Sequence, residues 1–398
     1  MIIGINASFA RKPDSGMGNT TINFLKKLVE IVDSRDTILL YLEEDLDLGV
    51  RLPKNVQKRV IKTFYPRDDL VRKIYWEKFV LPRHAKRDGC EVFFSFYQSP
   101  TIFQDIPHMM MVHDCIPKIF PWYLNNWRKE IYYKQVDKGI EAADSIMTIS
   151  DHSKIDVARI YKTESPKIIT NYEDCDPLYK ERIDKKETER ILKKFKIESR
   201  KFIFYVGGFD MRKNMGGLIE AYGQVWDKYK NKKDCPDLVL AGKFNRHLVP
   251  LVTNIEEKII ETRCQFGIPP TKFKLLGFVE QKHLPALYKG ASVFCYPSLY
   301  EGFGLPVLEA FNCKCPVVTS ENSSLKEIAN NKNAFIFDLE EKLSLGEKIY
   351  ECLNAKEKKK KRIEQAHKDA KKFSWAKFTR KVLRELKSLK TKKANPKK

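Results

Sequence analysis

Between Lys201 and Leu353 the chain alternates, six times over, a short apolar run with a helical stretch. "KFIFYVGG" (201–208) precedes "NMGGLIEAYGQVWDKY", "PDLVLAGKF" (236–244) precedes "VPLVTNIEEKIIETRCQFG", and "FKLLGF" (273–278) precedes "KHLPALYKG". "ASVFCYPSL" (291–299) leads into "LPVLEAFNC", "CPVVTS" into "SLKEIANN", and "AFIFD" into a last helix near Leu343–Leu353. The apolar runs are nearly continuous rather than alternating, which is the pattern of strands covered by helices on both faces. Six such repeats predict a doubly wound parallel sheet.

The N-terminal half repeats the theme. "MIIGINAS" reads as a first strand and "TTINFLKKLVEIV" as its helix, with later strands at "TILLYLE", "CEVFFSF", "HMMMVHD" and "DSIMTIS". With 398 residues the chain exceeds one ordinary core. Two α/β domains are therefore expected, residues 1–180 and 181–372, joined by the charge-rich segment around Asp176–Lys201. In residues 373–398, Phe373, Trp375, Phe378, Val382 and Leu386 fall near a helical stripe, predicting a docked amphipathic helix with a basic tail.

Composition narrows the function. Hydrophobic residues make up 42% and no run approaches the ~20 apolar residues that span a bilayer. "MIIGINASFA" has no basic region before its apolar run and reads as a strand rather than a leader, so the expected compartment is the cytoplasm. Nine scattered cysteines show neither Cys-x-x-Cys nor zinc spacing, and fit small buried apolar residues. The formal net charge of +22 favours anionic partners. No nucleic-acid-binding motif accompanies it, so no specific nucleic acid is expected. Solvated lysine faces and an anionic membrane surface remain open explanations.

Two loops carry the chemistry. "GGFDMRKN" (207–214) follows a buried strand and precedes a helix, at the end where open α/β sheets bind ligands. Gly207 and Gly208 permit close approach of a ligand, and Arg212 with Lys213 suits a diphosphate; a solvated basic turn is the plainer alternative. "YEGFGLPVLEAFNC" (300–313) places Gly302 and Gly304 before Pro306, which suits a first helical turn. N–H groups around Phe303, Gly304 and Leu305 would then face an anion. Glu309 lies about one turn in and can accept two neighbouring hydroxyls, as a ribose presents. Glu301, before the turn, would reach another part of the ligand. Helix capping by Glu309 and solvation of Glu301 would explain either residue singly, but not both beside two glycines and a proline.

These residues resemble a family. "EGFGLPVLEA" is similar to the E-x7-E signature of retaining glycosyltransferases of the GT-B fold, family four, also described as glycosyl transferases group 1. "GGFDMRKN" resembles the family's basic loop, residues 277–320 follow its pattern almost throughout, and "VHDCIPKIFP" (112–121) and "SGMGNTTINFL" (15–25) resemble its N-domain landmarks. The resemblance implies two Rossmann-like domains facing across a cleft, with the C-terminal helix packing back toward the N-domain. It implies that Glu309 holds the ribose and that Arg212 and Lys213 hold the diphosphate. It further implies that Glu301, with the backbone of Phe303, Gly304 and Leu305, meets the donor sugar and its phosphate. Gly208 belongs to the donor loop, Gly16 and Gly18 would close over the diphosphate, Val279 would meet the base through its backbone, and His113 would sit at the sugar end. His113 and Glu301 are thus the expected catalytic residues. Two departures stand out: Asn19 occupies a position that is basic in many relatives, and "NYEDCDP" (171–177) replaces the usual N-G-V-D ending.

The resemblance implies a metal-independent hexosyltransferase without a cofactor, whose partners are a nucleotide sugar and a glycan or lipid-linked acceptor. A helix N-terminus with Arg212 and Lys213 can stabilise a diphosphate leaving group without a metal. Mannose from GDP-mannose is the first expectation, since "VHDCIPKIFP" resembles mannose-transferring members, with polysaccharide or lipopolysaccharide synthesis as the setting. A UDP-sugar-dependent glucosyl- or N-acetylhexosaminyltransferase, or a nucleotide-sugar-binding protein without turnover, are the alternatives. "LVRKIYWEKFVLPRHAKRDG" (70–89) and "FPWYLNNWRKEIYYK" (120–134) mix aromatics with Lys and Arg, as an interfacial segment on the inner face of the plasma membrane would. Trp76 and Phe79 as plain core residues is the competing reading of the first.

Overall fold

The computed structural model describes residues 1–13, 15–62, 70–164, 167–197, 201–243 and 251–394. The closing "NPKK" of the basic tail, and Phe244 with the start of "VPLVTNIEE", lie outside the described residues. The chain divides into two compact units: Met1–Asp174 with Phe373–Lys398, and Cys175–Lys372.

Among the described residues, unit 1 carries seven strands: β1 (Ile2–Asn6), β2 (Thr37–Leu42), β3 (Val56–Val60), β4 (Val92–Ser95), β5 (His108–Val112), β6 (Ser145–Thr148) and β7 (Ile168–Thr170). They run parallel in the order β3-β2-β1-β4-β5-β6-β7. Unit 2 carries β8 (Phe202–Val206), β9 (Asp237–Ala241), β10 (Phe273–Gly277), β11 (Val293–Tyr296), β12 (Val317–Ser320) and β13 (Phe335–Phe337), parallel in the order β10-β9-β8-β11-β12-β13. Strands β4, β5, β6, β11 and β12 are buried at every position, because helices cover both faces of a parallel sheet.

Each sheet reverses its strand order once, between β1 and β4 and between β8 and β11. Loops leaving the carboxyl ends on either side of such a point diverge and leave a crevice.

Some elements differ from the sequence expectation for local reasons. The first helix, expected from "TTINFLKKLVEIV", begins earlier and spans Gly16–Ile31, because the Ser15 hydroxyl accepts from the Gly18 N–H at 3.1 Å and caps the first turn. "SLKEIANN" gives only the single turn Leu325–Ile328. β3, "VQKRV", escaped notice because an outermost strand need not be apolar, and β7 because it has three residues. The Lys-rich segment folds as the helix Lys356–Ala370, with Ala366 and Ala370 buried. Trp76 is buried as a core residue whereas Phe79, on the same turn, is 44% exposed.

The helix Trp375–Ala394 packs on the Gly16–Ile31 helix and on β4 and β5 of unit 1. Trp375, Phe378, Val382 and Leu386 form its buried stripe. The Phe378 ring lies 5.9 Å from Phe24 and 6.2 Å from Phe96, and its carbonyl accepts from Asn171 Nδ2 at 3.1 Å. Phe378→Ala should therefore cost about 3–5 kcal/mol, the usual loss for a fully buried aromatic. Urea unfolding followed by fluorescence checks this, and an unchanged midpoint would mean that the helix does not depend on this contact.

Candidate active site

In unit 2 the loops after β8 and β11 flank the point of strand reversal, and they carry the residues selected from sequence. After β8, Gly207 adopts φ +155°, and a Cβ there would stand 2.8 Å from the Tyr205 hydroxyl. Asp210 then opens a tight turn over Met211–Lys213. After β11 the chain runs through Glu301 to Gly304, whose φ of +119° starts the helix Leu305–Asn312. The backbone demands glycine there, and a Cβ would also push on Leu325 Cδ2 at 2.7 Å.

The two loops are joined through Glu301. Its Oε1 accepts from Lys213 Nζ at 2.6 Å and its Oε2 from Arg212 Nη1 at 2.9 Å. Arg212 Nη1 also donates to the Tyr300 carbonyl at 2.9 Å, and its Nε lies 3.0 Å from Asp210 Oδ1. Lys213 donates to the Tyr296 hydroxyl at 2.7 Å. The Leu299 N–H donates to the Arg212 carbonyl at 2.7 Å, closing the loops on each other. Ser323 and Ser324 complete the frame: the Glu301 N–H donates to Ser323 Oγ at 2.9 Å, and Ser324 Oγ reaches the Glu301 and Phe303 carbonyls.

Glu301 and Lys213 are both buried. Burial alone would raise the Glu301 carboxyl, but Lys213 and then Arg212 outweigh it and hold the group down to about 2. Burial lowers the Lys213 ammonium, opposed by Glu301. The result is two cations and two carboxylates, Asp210 and Glu301, facing one crevice.

Glu309 is set differently. It lies in the Leu305–Asn312 helix, half-buried, and accepts from the Tyr288 hydroxyl at 2.8 Å. Burial pushes its carboxyl up to about 7, against hydrogen bonds from Tyr288 and Tyr179. Val279 is buried just after β10, beside an exposed Phe278 whose ring is covered by Lys243 Nζ at 4.5 Å from its centroid. Gly208 meets nothing nearer than Asp210 Oδ2, 3.2 Å from where a Cβ would stand.

Unit 1 holds the remaining expected residues. A Cβ on Gly16 would find nothing within 4 Å, leaving its backbone approachable, whereas one on Gly18 would stand 1.8 Å from the Lys12 carbonyl oxygen. Packing alone therefore requires Gly18. His113, directly after β5, is buried; its Nε2 donates to the Phe96 carbonyl at 3.0 Å and its Nδ1 lies 3.4 Å from Glu173 Oε1. Burial pushes the imidazole down to about 4, so it is neutral near pH 7.

At the β1/β4 reversal a second network appears. Tyr97 receives a hydrogen bond from Asn6 at 3.0 Å and donates to Glu77, and Lys73 Nζ lies 3.8 Å from Glu77 Oε1. Sequence reasoning missed this network, together with Tyr288, Tyr296, Asp210, Ser323, Ser324 and Glu173. Asp210 and Glu173 lay within the motifs read for chemistry, whereas Tyr288, Tyr296 and Ser324 lay in stretches read only as strands and helices; the departure from N-G-V-D was the one available signal for Glu173.

Glu301→Gln would leave Lys213 buried without its counter-charge, and should cost about 3–5 kcal/mol at pH 7. The carboxyl lies below its ordinary value of 4.5 in the folded protein, so its contribution is present above that value and is lost as the pH falls toward 2. The gap between wild type and variant in urea unfolding should thus narrow below pH 4.5. Equal stability at pH 7 would mean that desolvation already cancels the attraction.

Residues 187–369 match the family model described as "Glycosyl transferases group 1". The chain is 27% identical over 332 residues to the O-antigen chain mannosyltransferase B of Escherichia coli, covering 80% of this chain and 82% of that one. It is 24% identical over 345 residues to the O-antigen chain mannosyltransferase RfbU of Salmonella typhimurium, with 85% and 87% covered. The crystal structure of a glycosyltransferase from Rickettsia africae superposes with a TM-score of 0.69 at 17% identity, over 98% of both chains. Residues 187–369 are thus a group 1 glycosyl transferase domain, and the chain that carries them is a glycosyltransferase of the GT-B fold.

Proposed function

We propose that the enzyme transfers a hexose, with mannose from GDP-mannose as first candidate, onto a lipid-linked or surface-polysaccharide acceptor, with retention and without a metal. The observation that carries this is the Arg212–Lys213–Glu301 constellation at the β8/β11 crevice. The two full-length relatives described as O-antigen chain mannosyltransferases support mannose and a glycan acceptor. Breaking a sugar–diphosphate bond places negative charge on the leaving group. Arg212 and Lys213, held in place before the ligand arrives, are suited to stabilise that charge. Glu301 positions both cations and presents a carboxylate to the donor sugar, and Glu309, held between two tyrosine hydroxyls, takes the ribose. The backbone of Phe303, Gly304 and Leu305, with Gly208 and Val279, completes the donor contacts. From unit 1, His113 and the Gly16–Gly18 turn take part. Neutral and bonded at Nε2, the His113 ring serves as a fixed contact rather than as a proton carrier.

The acceptor side is read from unit 1. Val71, Tyr75 and Phe79 recur every four residues and are 56%, 49% and 44% exposed. Trp122, Trp127 and Ile131 are exposed on the segment that follows β5. Lys78 and Arg128 lie over the Phe79 and Trp127 rings. Aromatics interleaved with cations, on a chain of net charge +22, suit an anionic lipid interface. Among the described residues no helix is long and apolar enough to cross a membrane, so attachment would be peripheral, on the cytoplasmic face.

Three measurements test these assignments. In a thermal-shift panel, GDP at a hundred times its dissociation constant should add about 2.7 kcal/mol, and Lys213→Ala should abolish the shift. Lys213→Ala and Glu309→Ala should also lose turnover with the fold intact. A larger shift with UDP would reassign the donor, full activity of both variants would sink the site, and donor binding without product would make the protein a binding module. In co-sedimentation at low salt, the protein should bind phosphatidylglycerol vesicles and not phosphatidylcholine vesicles, and Trp127→Ala with Phe79→Ala should weaken that binding. Indifference to anionic vesicles removes the membrane assignment.

A further inference from the structure

Glu173 is 2% exposed, and its Oε1 has no hydrogen-bonding partner although it lies 3.4 Å from His113 Nδ1. A buried carboxyl oxygen in that state demands an explanation, because an unsatisfied polar atom costs about 1–3 kcal/mol. The tautomer of His113 supplies one. Its Nε2 faces the Phe96 carbonyl at 3.0 Å, and a carbonyl can only accept, so the proton of the neutral ring sits on Nε2. Nδ1 then presents a lone pair toward Glu173. A lone pair and an ionised carboxylate repel each other, so a proton must lie between them.

We infer that Glu173 is the positioning residue for His113: the two share one buried proton, which locks the imidazole in the tautomer bonded to Phe96. The proton resides on Glu173 as a carboxylic acid donating to Nδ1, or on Nδ1 as an imidazolium facing a carboxylate. Both forms of the pair are net neutral, which suits two groups buried together.

The surroundings favour the acid form. Burial raises the Glu173 carboxyl to about 8, opposed by a hydrogen bond from the Thr20 hydroxyl, and lowers His113 to about 4. The groups packed around the pair bring no further charge. Thr20 comes from the Gly16–Ile31 helix, the Phe96 carbonyl and Gln98 from the segment after β4, and Ser153 from the helix Asp151–Tyr161, where its hydroxyl donates to the His113 carbonyl at 3.0 Å. The next carboxylate along the chain, Asp174, is itself buried. Through Thr20 and His113, Glu173 thus braces two elements, the helix that begins at Gly16 and the end of β5. The sign of the pH effect follows. Below about 8 the pair keeps its proton; above it Glu173 ionises, Nδ1 must take the ring proton to face it, and the Phe96 contact is lost.

The consequence for catalysis rests on the assignment of His113 to the donor contacts, and the first readout is chosen to be independent of it. In the ligand-free full-length protein, nitrogen NMR of the His113 ring, identified by the signal missing in His113→Gln, should show Nε2 protonated and Nδ1 bare at neutral pH. It should show a change of tautomer as the pH rises through about 8. In Glu173→Gln the amide donates permanently to Nδ1, so the tautomer should persist and the transition vanish. A ring protonated on Nδ1 and bare on Nε2 at neutral pH, or a transition unchanged in Glu173→Gln, overturns the inference whether or not any sugar is transferred.

With the active enzyme, Glu173→Gln should keep kcat within about twofold at pH 7 and lose the fall in rate above pH 8. Glu173→Met, of similar length but without a donor, should lower kcat about 10- to 100-fold, the loss that follows displacement of a contact group, and leave the KM for the donor unchanged. If Glu173→Met does not fold, the Gln variant and the NMR titration still decide. A Met variant that folds with full kcat overturns the positioning role.

Discussion

A carboxylate buried between an arginine and a lysine is tolerable only when all three groups are held at once. Remove the carboxylate, and two like charges are left facing each other in the crevice, which costs several kcal/mol. That requirement accounts for most of the local structure of unit 2. Gly207 and Gly304 allow the backbone turns that bring the two loops together, and the Leu299–Arg212 bond stitches them. Ser323 and Ser324 hold the backbone of Glu301 from the next loop. Asp210 balances Arg212, so two cations stand opposite two carboxylates and the site is near neutral before any ligand arrives. A diphosphate would compete with Glu301 and Asp210 for cations that are already in place, rather than having to gather them.

The two glutamates of "EGFGLPVLEA" look alike in sequence and are opposites in the structure. Glu301 is held near 2 by neighbouring cations, while Glu309, with tyrosine hydroxyls for company, is pushed up to about 7. A carboxyl held down contributes stability above its ordinary value, and one pushed up loses its contribution as the pH rises through the shifted value. Glu301 therefore favours the folded state at neutral pH and Glu309 works against it. A group that opposes folding has its place through what it binds, and a half-buried carboxyl between two hydroxyls is suited to a sugar diol.

What could be read from sequence was whatever is local in sequence. The parallel strands announced themselves because burial on both faces leaves continuous apolar runs, and Arg212, Lys213, Glu301 and Glu309 stood out because each loop is a short contiguous motif. The partners that give those residues their chemistry were illegible. Tyr296 meets Lys213 across 83 positions, and Glu301 meets it across 88. Nothing in the sequence says that Glu173 faces His113, since the strand order of the sheet decides it. β3 and the helix Lys356–Ala370 were missed for another reason: each needs only a thin buried contact, so polar residues fill most of its length.

The two crevices differ in the charge they hold. Each has a Lys–Glu pair with a buried glutamate beside a tyrosine at the point of strand reversal. Lys213 and Glu301 are 2.6 Å apart, and Lys73 and Glu77 are 3.8 Å apart. At an effective dielectric of about 20, these separations correspond to attractions of roughly 6 and roughly 4 kcal/mol. The closer pair also has Arg212 at hand, and the two cations together hold Glu301 down to about 2. In the wider pair, burial outweighs the lysine and raises Glu77 to about 7 while Tyr97 and Tyr132 donate to it. Lys73 is meanwhile enclosed by the rings of Phe9, Tyr97 and Tyr132, 4.7 to 5.1 Å from their centroids. That network is satisfied by its own aromatic walls and has little charge to offer. In the network of unit 2 the two cations hold Glu301 down, and both are held in turn by side chains that a polyanion could replace.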